Sequence, residues 1–165
     1  VRALRLLGTF FAFLLAPLLP SLARAAPLPE GEYLQSLDAQ GWKATPGGVR
    51  YRVLQPGSGK GRGPLLTDYA TLHYQGRLLN GMVFDDTAKA GKPARLQLTR
   101  VIAGWKEVLP QMHVGDRWEI AVPSALGYGP RGSASGKVPP DATLLFTIEL
   151  LGLEAPKLSS EIGGG

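Results

Sequence analysis

The sequence predicts an α+β domain in which an antiparallel sheet packs on one short helix. Three observations predict it. Several stretches between residues 49 and 153 alternate or run apolar at strand spacing, a single stretch within that span (105–112) is helical in character, and Gly- and Pro-rich turns separate them. A chain of 165 residues suffices for one domain with an appendage.

Taken in order, residues 1–25 read as a signal peptide. Arg2 and Arg5 precede an apolar stretch over 6–22, and Ala23 and Ala25 supply the small-residue cleavage pattern. A membrane anchor needs about 20 apolar residues in unbroken helix. Here the stretch is shorter, and Pro17 and Pro20 interrupt its end. Cleavage and export are therefore expected, with no stable membrane anchor. Residues 26–47 form a lead segment. Within it 30–40 has Tyr33, Leu34 and Leu37 on one helical face, Gly41 stops the helix, and Pro46-Gly47-Gly48 reads as a loop. A helix that short is marginal alone, so it is expected to dock or fray.

From Val49 the pattern becomes strand-like. Val49, Tyr51 and Val53 alternate with Arg50 and Arg52, as on a sheet with one wet face. A long turn covers 56–64. The strongest strand signal is 69–79, closed by the hairpin dipeptide Asn80-Gly81. Short strands follow at 82–84 and 95–98. The helix at 105–112 contains Pro110, which should end it early. Strands at 117–122 and 143–153 complete the sheet, with a Gly-, Ser- and Pro-rich loop at 127–140 between them and a flexible tail over 155–165.

Composition narrows the function. No cysteine means no disulfide, thiolate metal site, Fe–S cluster or thiol catalysis, and the two histidines, His73 and His113, make a His-rich metal centre a poor reading. The net charge of +5 is carried partly by the first segment; without Arg2, Arg5 and Arg24, 15 basic residues face 13 acidic ones, about +2. Arg50, Arg52, Lys60 and Arg62 alternate with uncharged residues, so no nucleic-acid face is expected. Gly127 to Gly132 matches G-x-G-x-x-G, but the residues after it cannot open the helix that a dinucleotide site requires. His73 reads as a strand residue rather than a catalyst.

What remains is a set of aromatic and apolar residues at strand and helix ends: Tyr74, Phe84 beside Asp85, Val101-Ile102 leading into Trp105, Tyr128 in the glycine loop, and Phe146. Such residues more often build a core than a site, and composition alone favours the core. The stretches YQGRLLNGMVFDDT, GKPARLQLTRVIAGWKEVLPQM, VPSALGYGPRG and VPPDATLLFTIELL resemble, in order and spacing, the FKBP-type peptidyl-prolyl cis-trans isomerases, and in flavour their exported bacterial, macrophage infectivity potentiator-like branch. The resemblance covers residues 48–154. It implies a five- to six-stranded antiparallel half-barrel wrapped around the short helix, with a pocket between them. Trp105 would be the pocket floor, Tyr74, Phe84 and Phe146 its walls, and Val101, Ile102 and Val138 further lining. The Ile102 N–H and the Tyr128 hydroxyl would bind substrate carbonyls, and Asp85 matches the acidic residue beside the pocket, so Asp85 and Tyr128 are the catalytic candidates. Four departures from the family pattern stand out: Ala94 for a pocket phenylalanine, Ala90 for an arginine, Arg100 where the residue is often acidic, and Pro110 inside the family's helix segment.

The implied reaction suits these residue types. Rotation about X–Pro is slow because amide resonance must be broken. No bond is made or cut, so no nucleophile, metal or cofactor is needed, and proline-containing extended chains, with an apolar residue before proline, are the expected substrates. The resemblance further implies macrolide immunosuppressant-type inhibitors as ligands. The lead helix is too short for the branch's usual dimerisation, so a monomer in the periplasm, or secreted, is expected. The rival readings are a holdase-type chaperone that binds proline segments with little catalysis, and a virulence factor built on the same domain.

Overall fold

The computed structural model describes residues 28–157. The expected signal peptide lies outside them, as do residues 158–165 of the expected tail. The described chain runs through helix α1 (Glu30–Ala39), strands β1 (Lys43–Ala44), β2 (Arg50–Gln55), β3 (Tyr69–Leu78), β4 (Val83–Asp86) and β5 (Ala94–Gln97), helix α2 (Ala103–Val108), then β6 (Arg117–Val122) and β7 (Leu144–Glu154). One antiparallel sheet results, in the order β1-β2-β6-β7-β3-β4, with β5 also paired to β3. The predicted α+β class and the half-barrel around a short helix are what the chain forms. The additional strand is β1, two residues of the lead segment that pair with Tyr51 and Arg50 of β2. Two residues are too few for any alternation to show.

β3 organises the sheet. It pairs with β7 from Tyr69 to Leu78 on one edge, and on the other with β5 at Tyr69–Leu72 and β4 at Gln75–Arg77. Side chains alternate across a strand, so each long strand feeds two faces. Leu72 and Leu78 of β3, Trp118, Ile120 and Val122 of β6, and Leu144, Phe146, Ile148 and Leu150 of β7 point inward. There they meet Trp105, Val108, Leu109 and Met112 from α2 and the turn after it. α2 stops at Val108, and Pro110, which lacks an N–H, occupies the 3-10 turn Leu109–Gln111. The helix lies close to the sheet because Gly104 has no side chain: a Cβ there would sit 2.5 Å from Val122 Cγ1.

The other face of the same strands carries α1. Leu34 and Leu37 pack on Ala121 and Leu145, with Tyr33, Trp42 and Leu79 at the margin. Beside this patch Glu119, 8% exposed, accepts hydrogen bonds from Arg52 and Arg77. A buried carboxylate requires such partners. The lead helix is thus docked on the sheet, with Asp38 paired to Arg50.

One contact of α1 reaches toward the Gly- and Pro-rich loop. The Glu30 carboxylate accepts from the Ser124 N–H at 2.7 Å, the Ser124 hydroxyl at 3.2 Å and the buried Thr143 hydroxyl at 2.6 Å. Ser124 and Thr143 flank the loop at its two ends, so a single carboxylate joins its feet. Replacing Glu30 by Ala should lower stability by about 1–3 kcal/mol, the usual cost of stranding partners of a charged acceptor. Chemical denaturation would show the loss, with amide exchange quickened over 124–143 and unchanged in β3. An unshifted midpoint with unchanged exchange would mean that the carboxylate holds nothing.

Candidate functional site

Tyr74 leaves the inner face of β3, Phe84 that of β4 and Phe146 that of β7, while Trp105 rises from the first turn of α2. They touch edge to face. Ring centroids are 5.1 Å apart for Tyr74–Trp105, 5.2 Å for Trp105–Phe146 and 5.6 Å for Phe84–Phe146, with interplanar angles of 87°, 80° and 86°. Each such contact contributes about 0.5–1.5 kcal/mol beyond simple burial, and it fixes the ring's orientation. The Phe84–Phe146 contact passes over Gly76 of β3. A Cβ at Gly76 would lie 2.6 Å from Phe84 Cζ and 2.8 Å from Phe146 Cε1, so a glycine here makes room for both rings.

Above these rings is a cavity of about 240 Å³ lined by Tyr74, Phe84, Asp85, Leu96, Arg100, Val101, Ile102, Trp105, Tyr128 and Phe146. Eight of the nine residues singled out in the sequence therefore meet at one place. The ninth, Val138, does not line the cavity. It is 2% exposed in the core cluster, and its N–H and carbonyl are bonded to the Ser133 hydroxyl and N–H, so it pins the loop instead. Leu96 also lines the cavity, though the sequence did not single it out, and so does Arg100, noted there only as a departure from the family pattern. Leu96 follows from alternation in β5 once its register with Ala70 is known. Ala94 of β5 pairs with Leu72 of β3, and neither it nor Ala90 is among the lining residues.

The polar groups of the rim fall into two kinds. Asp85 is engaged: it accepts from the Tyr74 hydroxyl at 2.6 Å and from the Asp86 N–H at 3.0 Å. Other donors are unpartnered. Among the described residues the Ile102 N–H and the Tyr128 hydroxyl have no hydrogen-bond partner, and Tyr128 is 39% exposed. Trp105 Nε1 is also buried without a partner, a state it shares with Trp42 and Trp118. Burial raises the Tyr74 phenol well above its ordinary value, and the Asp85 hydrogen bond and charge push it further. Burial, then the Asp85 charge, raises Tyr128 as well. His73 lies outside the cavity, on β3, with its ring Nδ1 3.0 Å from Thr87 Oγ1. No group of three or more His, Asp or Glu side chains is placed to hold a metal ion among the described residues.

A half-barrel closed over a short helix, with an aromatic cavity between them and unpartnered donors at its rim, defines the class of site. The comparisons give that class its family. The model of the FKBP-type peptidyl-prolyl cis-trans isomerases matches residues 61–151, more than half the chain, and the chain belongs to this family. It is 44% identical over 114 residues to the peptidyl-prolyl cis-trans isomerase Mip of Coxiella burnetii, covering 69% of this chain and 48% of that protein. It is 41% identical over 107 residues to FK506-binding protein 1 of Candida glabrata, covering 64% of this chain and 92% of that one. The crystal structure of FkpA from Escherichia coli superposes with a TM-score of 0.71 at 32% identity, covering 76% of this chain and 58% of that chain. The chain thus spans about half the length of the bacterial Mip relatives it matches.

The raised phenols give a pH expectation. A raised pKa contributes stability that is present below the ordinary tyrosine value near 10 and is lost as the pH climbs through the folded-state value. In a ring-carbon NMR titration Tyr74 and Tyr128 should both titrate above the ordinary tyrosine value, and Asp85→Asn should lower both midpoints. Ordinary titration of both rings in the unaltered protein would contradict the burial and the Asp85 contact.

Proposed function

We propose that this protein accelerates cis–trans rotation about X–Pro bonds, with the proline ring seated on Trp105 between Tyr74, Phe84 and Phe146. The observation that carries this reading is the pair of free donors, Ile102 N–H and Tyr128 hydroxyl, at the rim of an aromatic cavity in a chain of this family. Unaided rotation takes tens to hundreds of seconds, against a barrier of about 18–20 kcal/mol that comes from amide resonance. The planar amide is the more polar form, so an apolar enclosure disfavours it relative to the twisted one. The two donors hold flanking carbonyls while the amide turns, which is help given more fully to the transition state than to the ground state. Two hydrogen bonds at about 0.5–1.5 kcal/mol each supply roughly five- to 150-fold. Any acceleration beyond that must come from the dry, shaped cavity. Asp85 acts through Tyr74, whose hydroxyl it fixes, and through its charge at the rim. Val101 and Ile102 add apolar lining, and an apolar residue before proline suits the walls.

We further propose that the chain is an exported folding helper, periplasmic or secreted, working on proline-containing segments of unfolded polypeptides. The basic, apolar and small-residue order of residues 1–25 supports this, as does the similarity to a Legionella longbeachae protein named as an outer membrane protein. No helix among the described residues is long and apolar enough to cross a membrane. A monomer is favoured because Leu34 and Leu37 of α1 are spent on the chain's own sheet. Macrolide immunosuppressant-type compounds are proposed to compete for the cavity, by analogy with the relative named as an FK506-binding protein.

The test is relaxation of a proline peptide from cis to trans with the protein present. Acceleration is expected. It should fall about two- to tenfold in Tyr128→Phe, for one lost hydrogen bond, and more than about tenfold in Trp105→Ala, which removes the floor. Absence of acceleration, together with suppressed aggregation of a proline-free client, would replace the isomerase reading by the holdase one.

A further inference from the structure

Resting on the isomerase reading above, we propose that a shelf beside the cavity reads an acidic side chain of the substrate, with Arg100 as the reading group. The shelf is a depression of about 370 Å³ formed by Tyr69, Arg95, Leu96, Gln97, Arg100 and Val101. Leu96, Arg100 and Val101 also line the cavity, so the two are continuous. A chain whose proline occupies the cavity has one flank running onto this shelf.

The charges there are not balanced. Arg95 already has partners: it donates to Glu154 at 3.0 and 2.8 Å, and its guanidinium lies 3.9 Å from the centre of the Tyr69 ring. Arg100 is exposed and makes no hydrogen bond or ion pair among the described residues, and the Gln97 carboxamide is likewise unbonded. No carboxylate lines the shelf. On the opposite side of the cavity the situation differs. A groove that shares Phe84 and Asp85 with it carries Asp85 and Asp86 against Lys89 and Lys137, two charges of each sign. Of these two flanks, only the Arg100 side carries a cation without a counter-charge among the described residues. A guanidinium offers a fork of donors that a carboxylate accepts in two bonds, and an adjacent amide can add a third. Because the pair forms at an exposed rim, its effect should be modest, about two- to fivefold in kcat/KM, and it should vanish in 1 M salt, where charges are screened within roughly 3 Å.

The experiment uses pairs of proline peptides that differ only by Glu or Gln, placed one to three residues from proline on either side. With the unaltered protein the Glu peptide should be turned over about two- to fivefold better at a position on one side, and not on the other. That ratio should fall to one in Arg100→Gln and invert in Arg100→Glu. Equal kcat/KM for Glu and Gln at every position, or a preference that survives Arg100→Gln, overturns the inference while the isomerase reading stands. If neither peptide of any pair is accelerated, the isomerase reading fails and this inference falls with it.

Discussion

Everything in the candidate site depends on where Trp105 stands. Its ring is the one surface that both the sheet and the helix fix, through edge-to-face contacts with Tyr74 of β3 and Phe146 of β7. Those strands are neighbours in a ladder extending from Tyr69 to Leu78, so the two aromatic walls have little freedom to part. The helix can present Trp105 at that depth only because Gly104 leaves room for Val122, and the far wall closes only because Gly76 leaves room for Phe84 and Phe146. Interiors packed this tightly shift as units when a methylene is added. The cavity is thus a consequence of core packing, with one side left open.

The sheet is used on both faces. The inner face builds the core and the cavity, while the outer face binds α1, which returns Glu30 to the feet of the 127–140 loop. The lead segment is therefore structurally joined to the loop that carries Tyr128, although the matched family model begins only at residue 61. This also accounts for the buried Glu119. Facing outward beside the docked helix, it is removed from water and takes its hydrogen bonds from Arg52 and Arg77.

Much of this was legible in the sequence. Alternation at 49–53 and apolar runs bounded by turn signals elsewhere located the six longer strands, and the Pro110 and Gly41 signals bounded the helices at Val108 and Ala39 with the expected short turns beyond. The aromatic set was legible only through its ordered blocks, since burial and binding favour the same residue types. What stayed hidden depends on contacts across long separations. Glu30 meets partners 94 and 113 residues away, and nothing local distinguishes it from a solvated carboxylate at a helix start. Val138 carries the composition of a lining residue and pins its loop instead, because two hydrogen bonds to Ser133 turn it into the core. Leu96 reaches the cavity rim through the register of β5 on β3 and Arg100 through the 3-10 turn Leu98–Arg100 that follows, and no periodicity states either.

The account rests finally on a physical claim about rate: an enclosed aromatic floor and two free donors lower a rotation barrier with no covalent step. Exchange NMR on a proline peptide, with the protein at a small fraction of the peptide concentration, tests it most directly. The account predicts cross-peaks between the cis and trans forms on a timescale where the free peptide shows none, and shifted resonances confined to Tyr74, Phe84, Ile102, Trp105, Tyr128 and Phe146. Shifts at those residues without exchange, or exchange accompanied by shifts on the outer face of the sheet, would contradict it.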